Sequence, residues 1–309
     1  MTILEDTENE AGICRVTAGW KKKELPLEVV RRYWRDVHSP SIARRAGIWD
    51  YRHFQYDPVV TDLFAPVEGI AFDAPADQQL MWTSDVRYYD EAALAAFGQS
   101  PSKDILPGIL GDIDLIVDQS TTYKAVGANA FTYKDATGLA TPQGTPTRPT
   151  YQLFFRQKGE EAPFFAALTE LAKAWAADPK VVRVRLSLFE VPDMEAERKA
   201  GYPVKTHPVE RQYQAWIDLV VDNAEDARDL LAAQPDLGDV VATIHAYPVT
   251  TLCTFNYGGK LTLAGLRGFA AWDALTTLGG FHQAQPAILE WMYGDVAQGV
   301  TLHGEDDGR

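Results

Sequence analysis

Hydrophobic and polar positions alternate in a regular succession of segments along this chain. Ile13 to Trp20 (ICRVTAGW) alternates with the period of a strand, and Pro26 then opens a helical pattern, PLEVVRRYWRDVH, that stops at His38 before Ser39-Pro40. Ile48 to Tyr56 (IWDYRHFQY) reads as a second strand, Gln79 to Tyr88 as a third, Glu91 to Gly98 as a helix ending in glycine, and Ile113 to Tyr123 as a fourth strand. The order then recurs. TYQLFFRQK is a strand, PFFAALTELAKAWAAD a helix, VVRVRLSLFEV and RQYQAWIDLVV strands, NAEDARDLLAAQ a second helix and ATIHAYPVTTLCTF a last strand.

Each half therefore spells β-α-β-β-α-β, the ferredoxin-like unit: an antiparallel sheet with helices on one face and a second apolar face that must be covered. The fold class expected is α+β, with two ferredoxin-like repeats packed face to face as an intramolecular α/β barrel. Residues 12–134 form the first repeat, 135–149 a linker rich in Thr, Pro and Gly, and 150–262 the second repeat. Residues 263–300 form a helical extension split at Gly279-Gly280, which either packs outside the barrel or makes an oligomer contact, so a homodimer is one expected assembly. The acidic tail after Leu302 is expected to be disordered.

Composition narrows the partners. The chain has 309 residues with 46% hydrophobic and 23% charged, ordinary for a protein with a large core, and 8 Trp, 13 Tyr and 13 Phe to wall a pocket. Twenty-nine basic and 43 acidic residues give a net charge of −14, which repels phosphate backbones and anionic lipid surfaces, so neither nucleic acid nor membrane is expected as a partner. No apolar run approaches the roughly 18 residues that span a bilayer, and the acidic N-terminus lacks a signal-peptide layout, which makes the cytoplasm the default location. Cys14 and Cys253 make neither a metal spacing nor a disulfide framework. The dinucleotide, P-loop, zinc-protease and nucleophile-elbow motifs are all missing.

The stretch YWRDVHSPSIARRAG followed by IWDYRHFQYDP resembles the signature of the EthD family within the dimeric α/β-barrel superfamily, through Tyr33, Trp34, Arg35, His38, Pro40, Gly47 and Tyr51. The resemblance covers about the first third of the chain; beyond that it rests on element order. It implies a barrel with a pocket inside, in a superfamily whose chemistry runs from lactone isomerases and polyketide cyclases to cofactor-free oxygenases and haem enzymes, so fold does not fix function. The same stretch is similar to methylmuconolactone methylisomerases, which implies that His38 stands where a pocket histidine stands.

The candidate residues follow. His38 is either a charged cap on a helix C-terminus or a general acid/base, since imidazole titrates nearest neutral pH. Tyr51, His53 and Gln55 share one face of their strand, opposite Arg52, Phe54 and Tyr56; the polar set suits the barrel interior or, alternatively, a solvated edge. Tyr51 and His53 would hold an oxygen as charge develops. Trp34, Trp82, Trp20, Gln55 and His245 complete the expected substrate lining, although Trp20 could equally be a rim or core residue. Asp85 could orient a histidine or simply pair with Arg87 at the surface. His207 is expected to be solvated in a loop and His282 to be buried or capping. Because Asp178-Pro179 replaces His38-Ser39-Pro40 in the second half, one site is expected, lined by the first half and closed by the second.

The chemistry expected is a lyase, isomerase or cyclase working without a cofactor on a small aromatic, lactone or polyketide-like molecule. A cofactor-free monooxygenase, a haem or metal enzyme of the same fold, and a non-catalytic carrier of a hydrophobic ligand are the alternatives; haem needs one axial histidine, and no attachment motif is present.

Overall fold

The computed structural model describes residues 7–193, 195, 207–232, 234, 236–297 and 299–300. The expected tail after Leu302, with His303, lies outside them. The strands are β1 (Ile13–Lys21), β2 (Ile48–Tyr56), β3 (Trp82–Tyr88), β4 (Val117–Val126), β5 (Ala130–Asp135), β6 (Gln143–Gly144), β7 (Thr150–Gln157), β8 (Val181–Leu188), β9 (Ala215–Val221), β10 (Val241–Tyr257) and β11 (Lys260–Leu261). Helices are α1 (Leu27–Tyr33), α2 (Ser39–Ala43), α3 (Glu91–Gln99), α4 (Leu106–Ile116), α5 (Glu161–Ala177), α6 (Leu237–Val240), α7 (Leu263–Arg267), α8 (Phe269–Leu278) and α9 (Pro286–Tyr293).

One mixed α+β architecture results. The hydrogen-bonded path runs β4-β1-β3-β2-β10-β7-β9-β8-β5, and the nine strands on it pair antiparallel. Its first and last members, β4 and β5, are consecutive in the chain through a turn at Gly127–Asn129, so the sheet curls back upon itself. β10 is long because it serves both halves, pairing with β7 over its first part and with β2 over its second.

The two faces of the curled sheet have different contents. The inner face holds Val16, Phe54, Tyr56, Phe154, Trp216 and Tyr247, drawn from both halves. Beside them lies a buried ion network. Arg87 pairs with Asp85 and Asp50, and Arg183 pairs with Glu8, Asp135 and Asp218. The alternation of VRVRL on β8 is the sequence trace of this interior: Arg183 and Arg185 point one way and Val184 and Leu186 the other.

Several expectations change here. The Tyr51, His53 and Gln55 face is not the inner one: Arg52, Phe54 and Tyr56 point inward, and Gln55 donates to the Arg31 carbonyl of the overlying α1. Bulky rings and ion pairs fill the interior, so polar groups with room around them must lie on the helix-covered side. Helical winding also does not stop at His38. Trp34–His38 is a π-type turn in which the Ser39 N–H reaches back to the Trp34 carbonyl, and α2 follows directly. Pro40 has no N–H for an ordinary helical bond, and the widened turn carries the chain past it.

Residues 113–116 belong to α4, not to a strand. The second helix expected in NAEDARDLLAAQ is reduced to a short 3-10 turn at Ala224–Ala227, with turns as far as residue 232. The carbonyls that would carry the helix forward are taken elsewhere, Arg228 O by the Ala65 N–H and Leu230 O by the Trp175 indole. Residues 57–81, between β2 and β3, cross to the second half there and stack Phe64 on Trp175. In return α7, α8 and α9 cover the first half with Leu263, Leu266, Phe269, Trp272 and Leu289, while Leu278, Phe281 and Trp291 of the same extension face outward. The segment 135–149 is not a free linker; β6 pairs with β10 and the segment crosses one end of the sheet.

Candidate active site

Between the outer face of the first-half strands, the π-type turn Trp34–His38 and helices α2, α3 and α4 lies a cavity of about 120 Å³. Trp34, His38, Tyr51, Trp82 and Ser84 form its polar-aromatic side; Val86, Phe97, Leu110 and Ile113 are apolar wall, and Arg15 and Thr17 reach it from β1. Gly19 makes room at the strand end. A Cβ there would lie 2.3 Å from the Trp82 ring, so any larger residue would push the indole out of place.

His38 projects from the π-type turn and is 5% exposed. Its Nδ1 is 3.0 Å from both carboxylate oxygens of Asp112 on α4, and its ring lies 4.1 Å from that of Trp34, tilted by 33°. Hydrogen bonding to a carboxylate places the proton on Nδ1 and leaves Nε2 as the basic nitrogen, which has no protein partner among the described residues. Tyr33 also bonds Asp112, and burial first and then that carboxylate raise its phenol pKa.

A hydrogen-bonded chain lies beneath. Tyr51 donates to Ser39 Oγ at 2.8 Å and lies 3.3 Å from Ser84 Oγ; Trp34 Nε1 donates to the same Ser84 oxygen at 3.3 Å. Tyr51 is buried, which pushes its phenol up to about 12, so it serves as a neutral donor. His53 is fully buried, 3.4 Å from Ser84 Oγ and 3.3 Å from Gln55 Nε2. Burial, then the charges of His38 and Arg35, depress it to about 3. His53 is therefore neutral near pH 7. Trp82 differs from the other donors. Its buried Nε1–H has no partner among the described residues, in a cavity otherwise rich in satisfied groups.

The structure thus brings His38, Tyr51, Trp34 and Trp82 to one cavity, with His53 and Gln55 behind it. Trp20 and His245 do not line it. Trp20 is on the inner side, stacked on His207 at 4.1 Å, and His245 is held by Tyr213 at 2.8 Å and by the Asp73 carbonyl. His207 is buried rather than solvated, and its pKa falls to about 4 through burial first and then Arg211 and Arg156. His282 is exposed rather than buried, in the 3-10 turn Phe281–Ala284. Asp85 is no surface carboxylate and orients no histidine; it is buried with Arg87 and Cys14 on the inner face.

The second half does not close the cavity, whose lining spans residues 15–122 alone. Its own helix-covered face is packed solid, with Phe164, Leu168, Leu171 and Trp175 of α5 against Leu153, Val184 and Ile217. Asp112 escaped sequence reasoning because Pro107, Gly108 and Gly111 disguise α4. The spacing of Leu106, Ile109, Leu110 and Ile113 was the available signal.

No protein-family model matches the chain, and no curated protein matches it. Among solved structures it is similar to a protein proposed to be a monooxygenase from Fusobacterium nucleatum subsp. nucleatum, at 11% identity over 81% of this chain and 96% of the other, with a TM-score of 0.48. An anthrone oxidase-like protein matches at 10% identity over 79% and 93%, with a TM-score of 0.46. A mutant chlorite dismutase from Candidatus Nitrospira defluvii, in complex with cyanide, matches at 11% over 81% and 95%, with a TM-score of 0.38. Likenesses this distant carry no weight for what the cavity does. Among the described residues no three His, Cys, Asp or Glu side chains converge as a metal site, and no helix is long and apolar enough to cross a membrane.

Proposed function

We propose that this protein is an enzyme that moves a proton on a small, mostly apolar, oxygen-bearing molecule, with His38 as the acid/base. The observation that carries this reading is the His38–Asp112 pair facing a cavity walled by Trp34, Tyr51 and Trp82. The carboxylate fixes the imidazole's tautomer and stabilises the imidazolium that forms when Nε2 takes a proton. Trp82 Nε1–H, which has no partner among the described residues, donates to the substrate oxygen on which negative charge collects; one donor of this kind in a desolvated site contributes about 3 kcal/mol. Tyr51 and His53, both engaged in the chain beneath, hold Ser84 and Trp34 in position.

Isomerisation, elimination and ring closure all use these parts. A cavity of about 120 Å³ suits a molecule of one small ring, by comparison with a cavity of ~150 Å³ that holds benzene. It is small for a porphyrin, and the proton chemistry outlined needs no cofactor. The matching strand orders β4-β1-β3-β2 and β10-β7-β9-β8 support reading the halves as two ferredoxin-like repeats, the first keeping the site and the second supplying the inner-face partner.

Solvent exchange tests the reading without knowledge of the natural substrate. Small aryl ketones and unsaturated lactones in D₂O should exchange their acidic C–H protons faster with the protein, followed by NMR. His38→Ala should slow that exchange by about 10²- to 10⁴-fold. Exchange that survives His38→Ala refutes the acid/base role, and ligand binding without exchange leaves a carrier.

A further inference from the structure

A second cavity, of about 100 Å³, lies at the end of the curled sheet crossed by segment 135–149. It shares no lining residue with the His38 cavity. Its walls include Leu139, Pro142, Pro146, Val220 and Leu252, and no aromatic ring lines it. Its floor is charged. Arg52, Arg183, Asp135 and Asp218 all line it, and each is 2% exposed.

The two arginines are not in the same condition. Arg183 is saturated, with Nε on Asp218 at 2.6 Å, Nη2 on Glu8 at 2.9 Å and Nη1 on Asp135. Arg52 sends Nη2 to Glu8 and, at 3.4 Å, to the Ala140 carbonyl of the crossing segment. Its buried Nε–H meets no acceptor among the described residues. A buried donor left without a partner is costly, so an acceptor arriving at Arg52 Nε is favoured.

Charge decides what kind of acceptor it is. The buried network holds four arginines, Arg52, Arg87, Arg183 and Arg185, against five carboxylates, Glu8, Asp50, Asp85, Asp135 and Asp218, an excess of one negative charge, and Arg148 at the rim is engaged by Asp222. A further anion would be repelled where the dielectric is low. A cation would have to compete for oxygens that already accept from Arg183, Gln152 and Thr137. A neutral carbonyl oxygen satisfies the free N–H without adding charge.

We propose that this cavity is a second binding site, for a small neutral molecule with one carbonyl oxygen on a saturated body, such as a cyclic ketone or lactone. The oxygen accepts from Arg52 Nε, and the hydrocarbon lies on Leu139, Pro142, Val220 and Leu252. The crossing segment forms the cover, tied down by Gln143 Nε2 to the Thr254 carbonyl at 2.6 Å and by Thr254 Oγ1 to the Pro142 carbonyl at 2.9 Å.

Three probes of similar size and different charge test it on the full chain: cyclopentanone, cyclopentanecarboxylate and cyclopentylammonium, with binding followed by saturation-transfer NMR. Cyclopentanone is expected to bind best. Leu139→Trp fills the cavity from the wall without touching an ion pair and should weaken cyclopentanone at least about tenfold; Arg52→Lys keeps the charge, removes Nε–H and should weaken it about tenfold. Should Arg52→Lys fail to fold, Leu139→Trp and the charge series still decide. A preference for either charged probe overturns the proposal. So does binding unchanged in Leu139→Trp, which would place the ketone elsewhere, and so does an absence of binding, which would leave the cavity to water alone.

Discussion

Acid should unfold this protein partly through His53, and the contribution can be isolated. In the folded chain burial holds His53 neutral down to about pH 3, whereas an unfolded histidine takes a proton near pH 6.5. Between those values the unfolded state binds more protons, so stability falls with falling pH. The contribution is fully present above about pH 6.5 and is lost as pH drops toward 3. At pH 5 the unfolded group sits about 1.5 pH units below its pKa while the folded one is still neutral. At about 1.36 kcal/mol per unit this is about 2 kcal/mol. His53→Gln keeps a polar group between Ser84 and Gln55 and removes the titration. Urea unfolding of both proteins at pH 8 and pH 5 supplies the comparison, with acid effects common to both cancelling. The variant should start somewhat less stable at pH 8 and lose about 2 kcal/mol less on going to pH 5. Equal losses in the two proteins would show that His53 is not a buried neutral histidine, and the proposal that His38 alone of the pair moves the proton would lose its support.

Other outcomes are specific to single residues. Asp112→Asn should keep the fold and slow His38-dependent exchange by about 10²-fold or more, because an amide can impose the wrong tautomer on Nδ1; exchange at the wild-type rate would make Asp112 a bystander. Gly19→Ala should destabilise the protein by about 1–3 kcal/mol and displace Trp82, visible as a change in near-ultraviolet circular dichroism; an unchanged spectrum and midpoint would contradict the close approach. Arg183→Met strips the cation from three buried carboxylates and should cost about 3–5 kcal/mol in urea unfolding, so a loss under 1 kcal/mol would refute the inner network. If the outward face of the extension joins two copies, light scattering should report a dimer that Trp291→Glu dissociates; a monomeric wild type would remove that assembly.

Periodicity determined much of this protein. The alternation in ICRVTAGW, IWDYRHFQY and VVRVRLSL fixes strands because a pleated backbone sends successive side chains to opposite faces, and this holds whatever lies on either side. The position of His38 beside Trp34 was likewise local, since residues four apart on a helical stretch are neighbours. Alternation divides residues into two faces without saying which face is enclosed. Tyr51 and His53 could therefore be grouped from sequence, but only the curling of the whole sheet put Arg52, Phe54 and Tyr56 inside and left the histidine side to the helices.

The partners of the key groups were beyond reach for the same reason. Asp112 meets His38 across 74 positions of chain, and Ala65 and Trp175 take the carbonyls that a local propensity had assigned to a helix at 223–234. Local pattern records what a segment can form. Burial and hydrogen bonding between distant segments decided which of those options the chain took, and where the cavity opened.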